Sequence, residues 1–211
     1  MKAVMPAVPP EIVQSRKRTG AHQWDEMWEG VLHMPPMPNR THQHFQWTLE
    51  TWLWTCWAGP NGNRVYHEVN LASVGGWPED YRIPDLVLLT PDRFQIDHDE
   101  YFEGPPIAVV EIRSPDDETY EKLPFYAKLG VPEVWIIDRD TKRPELYVLT
   151  GGDYQKQTAA KDGWLDSAVT GIQLRAEKGN RLGVQVAGDA STRRLLPEPP
   201  GKTGRSMEQK Q

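Results

Sequence analysis

A single cysteine, Cys56, stands among 211 residues. That excludes an intramolecular disulfide and any zinc site built on clustered cysteines, and it suits a reducing compartment. Long apolar runs are missing as well. Pro6, Pro9 and Pro10 break the amino-terminal stretch, and no segment approaches the roughly 20 apolar residues of a membrane-spanning helix. The expectation is a cytoplasmic protein without membrane contact. Positive charge is also scarce: 24 Lys and Arg against 30 Asp and Glu leave a formal charge of −6. The chain as a whole is therefore no basic coat that binds nucleic acid by displacing counterions from many phosphates. The deficit is sharpest between Glu79 and Glu121, where thirteen acidic residues meet three arginines. A phosphate backbone would be repelled there unless cations intervened. From Glu177 onward seven basic and four acidic residues give a net +3.

The length fits one domain with a sizeable core. We expect residues 1–10 to be a flexible amino terminus, 11–190 the domain, and 191–211 a disordered tail, since Pro197–Gly201 and the polar run beyond have little to bury. Nine tryptophans are present, four of them (Trp47, Trp52, Trp54, Trp57) in one segment. Base stacking on aromatics is one use. Core packing is the commoner one, because Phe45, Leu49 and Leu53 accompany them at helical spacing. Along the chain we expect a short helix over 11–18 and a strand or hairpin over 24–34 broken at Gly30. A helix capped by Asn39 or Thr41 should then run to about Trp57. Strands follow at 64–71, 86–89, 107–113, 133–138 and 145–149, with a helix ending at Leu129 before Gly130. The fold class is α/β (α+β), a sheet sandwiched by helices, because the uninterrupted apolar run Ile107–Val110 suits a strand covered on both faces.

Two carboxylates stand out. Asp85 opens the apolar run Leu86–Leu89, and Glu111 follows Ile107–Val110. Burying even a neutral polar group without compensation costs roughly 2–7 kcal/mol, and a charge costs more. Two acids so placed point to one shared divalent cation, with the Ile112 carbonyl as a third ligand. The competing structural reading makes Asp85 a strand cap and pairs Glu111 with Arg113 or Arg82.

Beyond these residues, Trp24–Val31, Met34-Pro35-Pro36, His42, Pro84-Asp85, Val110–Pro115, Lys122–Tyr126 and Gly130–Trp135 follow one another in an order that resembles the Uma-two family of restriction-endonuclease-like proteins, within the PD-(D/E)XK nuclease superfamily. The resemblance covers most of the chain. It implies a restriction-endonuclease-like central mixed β-sheet flanked by helices, and a metal-dependent endonuclease that hydrolyses phosphodiesters. Asp85 and Glu111 would hold Mg2+, with Mn2+ the other cation such a site takes. The superfamily often carries a lysine two residues after the second acid, where this chain has Arg113. By resemblance the lysine has moved to the following helix, which makes Lys122 the candidate. Glu26 and His42 match the family's amino-terminal acid and histidine.

Arg113 keeps its charge at all relevant pH values, so it is expected to bind a substrate phosphate rather than accept a proton. Tyr126, four residues after Lys122 and on the same helix face, is a second phosphate contact or a core ring. The partner implied is nucleic acid, DNA by analogy, and a homodimer is one way to cut both strands. A second reading keeps the fold as a catalytically inactive module that binds nucleic acid or a protein. A third, a different metal enzyme, would need His33, His42 or His67 gathered around the carboxylates.

Overall fold

The two apolar runs form adjacent strands at the heart of a six-stranded mixed sheet, as seen in a computed structural model that describes residues 3–5 and 9–198. Across this sheet the order is Asp153–Lys156, Pro144–Thr150, Glu133–Asp138, Ala108–Arg113, Leu86–Leu89 and Arg64–His67. Ala108–Arg113 and Glu133–Asp138 run parallel, and the other neighbours are antiparallel. All of Leu86–Leu89 and all of Ala108–Ile112 are buried, as strands covered on both faces must be. One face packs Leu86, Leu88, Val110 and Ile112 against Phe45, Leu49 and Leu53 of the helix Arg40–Leu53. The other packs Val87, Leu89 and Val109 against Phe125 and Tyr126 of the helix Leu123–Leu129. This is the expected restriction-endonuclease-like arrangement, a mixed sheet flanked by helices.

A parallel pair needs a crossover, and the crossover between Arg113 and Glu133 is the segment that carries Lys122. Pro124 delays its helix. A 3-10 turn, Tyr120–Lys122, comes first, and Pro124 then sits in the first turn of Leu123–Leu129, where its missing N–H is harmless. Gly130, at φ 85°, ends that helix in the left-handed region.

The expected hairpin is Glu26–Trp28 paired with Val31–Met34. Glu29 and Gly30 turn it with φ of 49° and 81°, which suits the twist of the flanking strands. It belongs to a second six-stranded sheet completed by Ala3–Met5, Tyr81–Arg82, Leu71–Ala72 and Phe102–Glu103. The strand expected over 64–71 is therefore split. Glu68, at φ 50°, breaks it, and Leu71–Ala72 joins the second sheet.

The third sheet is an antiparallel set of Leu165–Asp166, Ile172–Glu177, Arg181–Val186 and Asp189–Leu196. Residues 191–196, which we expected in the tail, belong to this sheet. Residues up to Leu196 pair with Arg181–Val186 although their side chains mostly face solvent, because the ladder satisfies their backbone. Ala3–Met5 likewise pairs with Val31–Met34. The rest of the expected tail beyond residue 198, and residues 1–2 and 6–8, lie outside the described residues.

The fully buried Glu133 ties the third sheet to the central one. It accepts from the Ser167 hydroxyl at 2.5 Å and the Ala168 amide at 2.9 Å. The tryptophans divide their labour: Trp52 and Trp57 are buried and donate to the Thr192 and Thr170 carbonyls at 2.8 and 3.0 Å, whereas Trp47 and Trp54 are 62% and 53% exposed. No described helix is long and apolar enough to cross a membrane.

Candidate active site

The antiparallel register Leu86↔Val110, continued by one residue, sets Asp85 opposite Glu111. Both lie on one cleft of about 310 Å³ that Glu26, His42, Ile112 and Lys122 also line. The sequence places Asp85 just before one strand and Glu111 within the other, and the pairing makes them neighbours.

Asp85 is held from two sides. Its Oδ1 lies 2.7 Å from His42 Nε2, and its Oδ2 accepts the Ile112 amide at 2.5 Å. The helix start aims His42: Asn39 caps the helix by accepting the His42 amide at 3.0 Å, one turn before the residues that pack on the sheet. One turn later Gln46 donates to the Asp85 carbonyl at 3.1 Å. In a strand the N–H and C=O of one residue point to the same side. The Ile112 carbonyl therefore faces the Asp85 side along with its amide, as a ligand from that residue requires.

Glu111 is buried over the other helix. It accepts the Tyr126 hydroxyl from below, and Lys122 Nζ lies 3.2 Å away. The same ammonium is 2.8 Å from Glu26 Oε1 and donates to the Ile83 carbonyl at 3.3 Å. Glu26 is fixed in turn, accepting the Ile83 amide at 2.8 Å and the Trp28 indole N–H at 2.7 Å. Lys122 thus bridges the hairpin and the central sheet.

Glu26, Asp85 and Glu111 meet Lys122 and His42 in this cleft, which Glu68 and Asp117 also line. Burial, opposed by Lys122 and reinforced by the Asp85 and Glu26 charges, pushes the Glu111 carboxyl up to about 8. Burial works against the Lys122 ammonium, yet Glu111 and Glu26 outweigh it and raise its pKa. Burial likewise opposes a charged His42, and Asp85 reverses the sign, so its pKa is raised. The Tyr126 hydroxyl, buried and beside Glu111, is driven well above its ordinary range.

Excess buried negative charge on hard oxygen donors is what a divalent cation relieves. Each carboxylate oxygen retains acceptor capacity beyond the bonds above. Among the described residues no group of three or more His, Cys, Asp or Glu is placed to hold a metal ion by itself. Two carboxylates and a backbone carbonyl are hard oxygen donors, the kind that an incompletely caged divalent cation takes together with water.

Other residues named from sequence lie elsewhere. Arg113 turns to Asp138, 2.6 Å away, in a separate groove with Tyr120, Arg143 and Glu145. Tyr126 is fully buried beneath Glu111. Neither Arg113 nor Arg82 pairs with Glu111: Arg82 stacks between Trp28 and Phe125, each ring centroid 4.2 Å from its guanidinium carbon, and bonds Asp80. The histidines do not gather. His33 pairs with Glu118 at 3.1 Å, His67 with Glu50 at 2.8 Å and His42 with Asp85. Sequence reasoning missed Gln46, although its place four residues after His42 on one helix face was a usable signal. It also missed Trp28, whose bond to Glu26 crosses only one intervening residue of the strand.

The family model for Uma2, described as "Putative restriction endonuclease", matches residues 18–177. The chain belongs to this family. The Uma2 match takes in every residue of the cleft named above. A solved structure described as a "putative nuclease belonging to DUF820 from Anabaena variabilis" superposes with a TM-score of 0.56 at 17% identity, covering 69% of this chain and 83% of that one. At that identity the likeness concerns the fold. None of the curated proteins matches the chain.

Proposed function

We propose that this Uma2 protein is a divalent-metal-dependent endonuclease that hydrolyses phosphodiester bonds in nucleic acid. The observation that carries the proposal is the meeting of Asp85, Glu111 and Lys122 in one cleft, each braced by a neighbour. Asp85, Glu111 and the Ile112 carbonyl would hold the cation. When bound, Mg2+ or Mn2+ supplies charge neutralisation and lowers the pKa of a ligated water.

The chain's own residues supply the rest. His42 and the Ile112 amide fix the Asp85 rotamer, so that its oxygens do not need to reorganise during reaction. Tyr126 does the same for Glu111. Lys122 brings a positive charge to within 3.2 Å of Glu111 and stabilises the negative charge that develops on phosphorus oxygens, while Glu26 positions it. Because its pKa is raised, Lys122 acts as a cation and hydrogen-bond donor at neutral pH and not as a proton acceptor. DNA is the nucleic acid we favour, since the family is described as a restriction endonuclease.

One observation favours a second reading, a nuclease-fold module without activity that binds nucleic acid or a protein. Lys122 is clamped by two carboxylates and a carbonyl, an arrangement that also serves stability alone. The deciding experiment incubates plasmid, single-stranded DNA and RNA with wild type and Asp85→Asn in Mg2+ or Mn2+. Cleavage by wild type and loss in the variant is the expected result. Equal inactivity across the panel, with binding retained, would hand the case to the second reading.

A further inference from the structure

Arg139 lines the same cleft as Asp85, Glu111 and Lys122, yet it bonds to none of them. It follows directly on the strand Glu133–Asp138, and its amide donates to the Arg113 carbonyl at 2.9 Å, two residues beyond Glu111. The turn that carries it is held at several points. Asp138 Oδ1 accepts the Asp140 and Thr141 amides at 3.1 and 2.8 Å and the Thr141 hydroxyl at 2.8 Å. The Lys142 amide returns to the Asp138 carbonyl at 2.9 Å. The buried Lys142 ammonium donates to the Arg139 carbonyl and lies 4.6 Å from the centroid of Phe45 on the helix Arg40–Leu53. A surface turn with this many anchors has its backbone set by both layers of the site.

The side chain is set too. Arg139 Nε and Nη2 donate to Asp140 Oδ1 and Oδ2, both at 2.9 Å, in the parallel fork that guanidinium makes with a planar oxyanion. Its side chain is only 18% exposed, whereas Asp140 is 53% exposed. An exposed ion pair of this kind contributes little to stability. Exchanging the Asp140 carboxylate for a phosphate would preserve the fork. Arg113, the other arginine near the strand end, is committed to Asp138 in a different groove.

We propose that Arg139 grips a phosphate of the nucleic-acid substrate at the rim of the cleft, and that Asp140 holds its guanidinium in the binding plane until substrate displaces it. The proposal rests on the nuclease reading and adds to it the residue that registers the strand.

The test titrates a fluorescently labelled mixed-sequence DNA duplex against the full-length protein in Ca2+ at several NaCl concentrations, with cleavage rates in Mg2+ measured in parallel. Arg139→Ala should weaken binding about tenfold and reduce the slope of log affinity against log salt by about one contact. Arg139→Lys should keep the slope but recover only part of the affinity, because the fork is lost. Asp140→Asn should tighten binding, a gain that a misfolded variant cannot produce. Unchanged affinity and slope in Arg139→Ala, while wild type binds and cleaves, would overturn the assignment and leave the nuclease reading standing. A wild type that neither binds nor cleaves duplex DNA, single-stranded DNA or RNA would remove both.

Discussion

Replacing Lys122 by Met removes the one ammonium that Glu26 and Glu111 share. Both carboxylate side chains are only 5% exposed, and the lysine is 13% exposed. Taking away one partner of a buried pair costs about 3–5 kcal/mol, because the remaining charge stays desolvated. Two features limit the loss here. Glu26 keeps its bonds from the Ile83 amide and the Trp28 indole. Glu111, already pushed up to about 8, can take a proton instead of remaining charged. The expected cost therefore sits near the lower end, about 3 kcal/mol, which for a domain of this size lowers Tm by roughly 6–12 °C. Urea denaturation followed by tryptophan fluorescence gives the value directly. The companion Glu26→Gln change should then be less costly in the Lys122→Met background than in wild type, with a coupling of about 1–3 kcal/mol. Additive losses, or a Lys122→Met protein as stable as wild type, would refute the idea that this lysine neutralises both acids.

Tyr126→Phe takes from Glu111 a buried donor and should cost about 1.5–3 kcal/mol in urea unfolding; its cleavage should lose kcat with KM unchanged if the hydroxyl only fixes the carboxylate. Glu133→Ala strands the Ser167 hydroxyl and the Ala168 amide and should destabilise by about 2–4 kcal/mol, whereas Glu133→Gln keeps one acceptor and loses less, a ranking that thermal melts can check. Partial burial raises the Asp138 carboxyl, but bonds from Thr141, Arg113 and Asp140 prevail and lower it from 3.8 to about 2. That contribution is present above pH 3.8 and is lost as pH falls toward 2, so acid unfolding of Asp138→Asn should be the flatter curve in that window.

Local chemistry made much of this legible in the sequence. The hairpin showed through Gly30, the helix Arg40–Leu53 through Asn39 and the Phe45, Leu49, Leu53 spacing, and the two central strands through their unbroken apolar runs. What the sequence could not show is which backbone groups a carboxylate meets. The Ile112 amide on Asp85 and the Ile83 amide on Glu26 are contacts between residues 27 and 57 positions apart, and neither leaves a periodic trace. The direction of Arg113 was equally hidden, because it depends on Asp138 in a neighbouring strand. Polarity misled at the carboxyl end: 191–196 reads as tail on side chains alone, yet its backbone completes a sheet. Arg139 escaped notice because an Asp-Arg-Asp turn looks like ordinary punctuation.

The crossover position of Lys122 makes spacing a matter of loop length. When acid and lysine sit two apart on one strand, the pleat fixes their separation and no insertion can come between them. Here the connection from Arg113 to Lys122 passes through a tight bend, with Asp116 at φ 60° and Asp117 accepting the Ser114 and Thr119 amides. That bend works as a ruler. One residue added or removed between Ser114 and Thr119 would shift the ammonium along the cleft while leaving every cleft side chain named here unaltered, so natural variation in this loop could retune or silence the site without a single substitution in it.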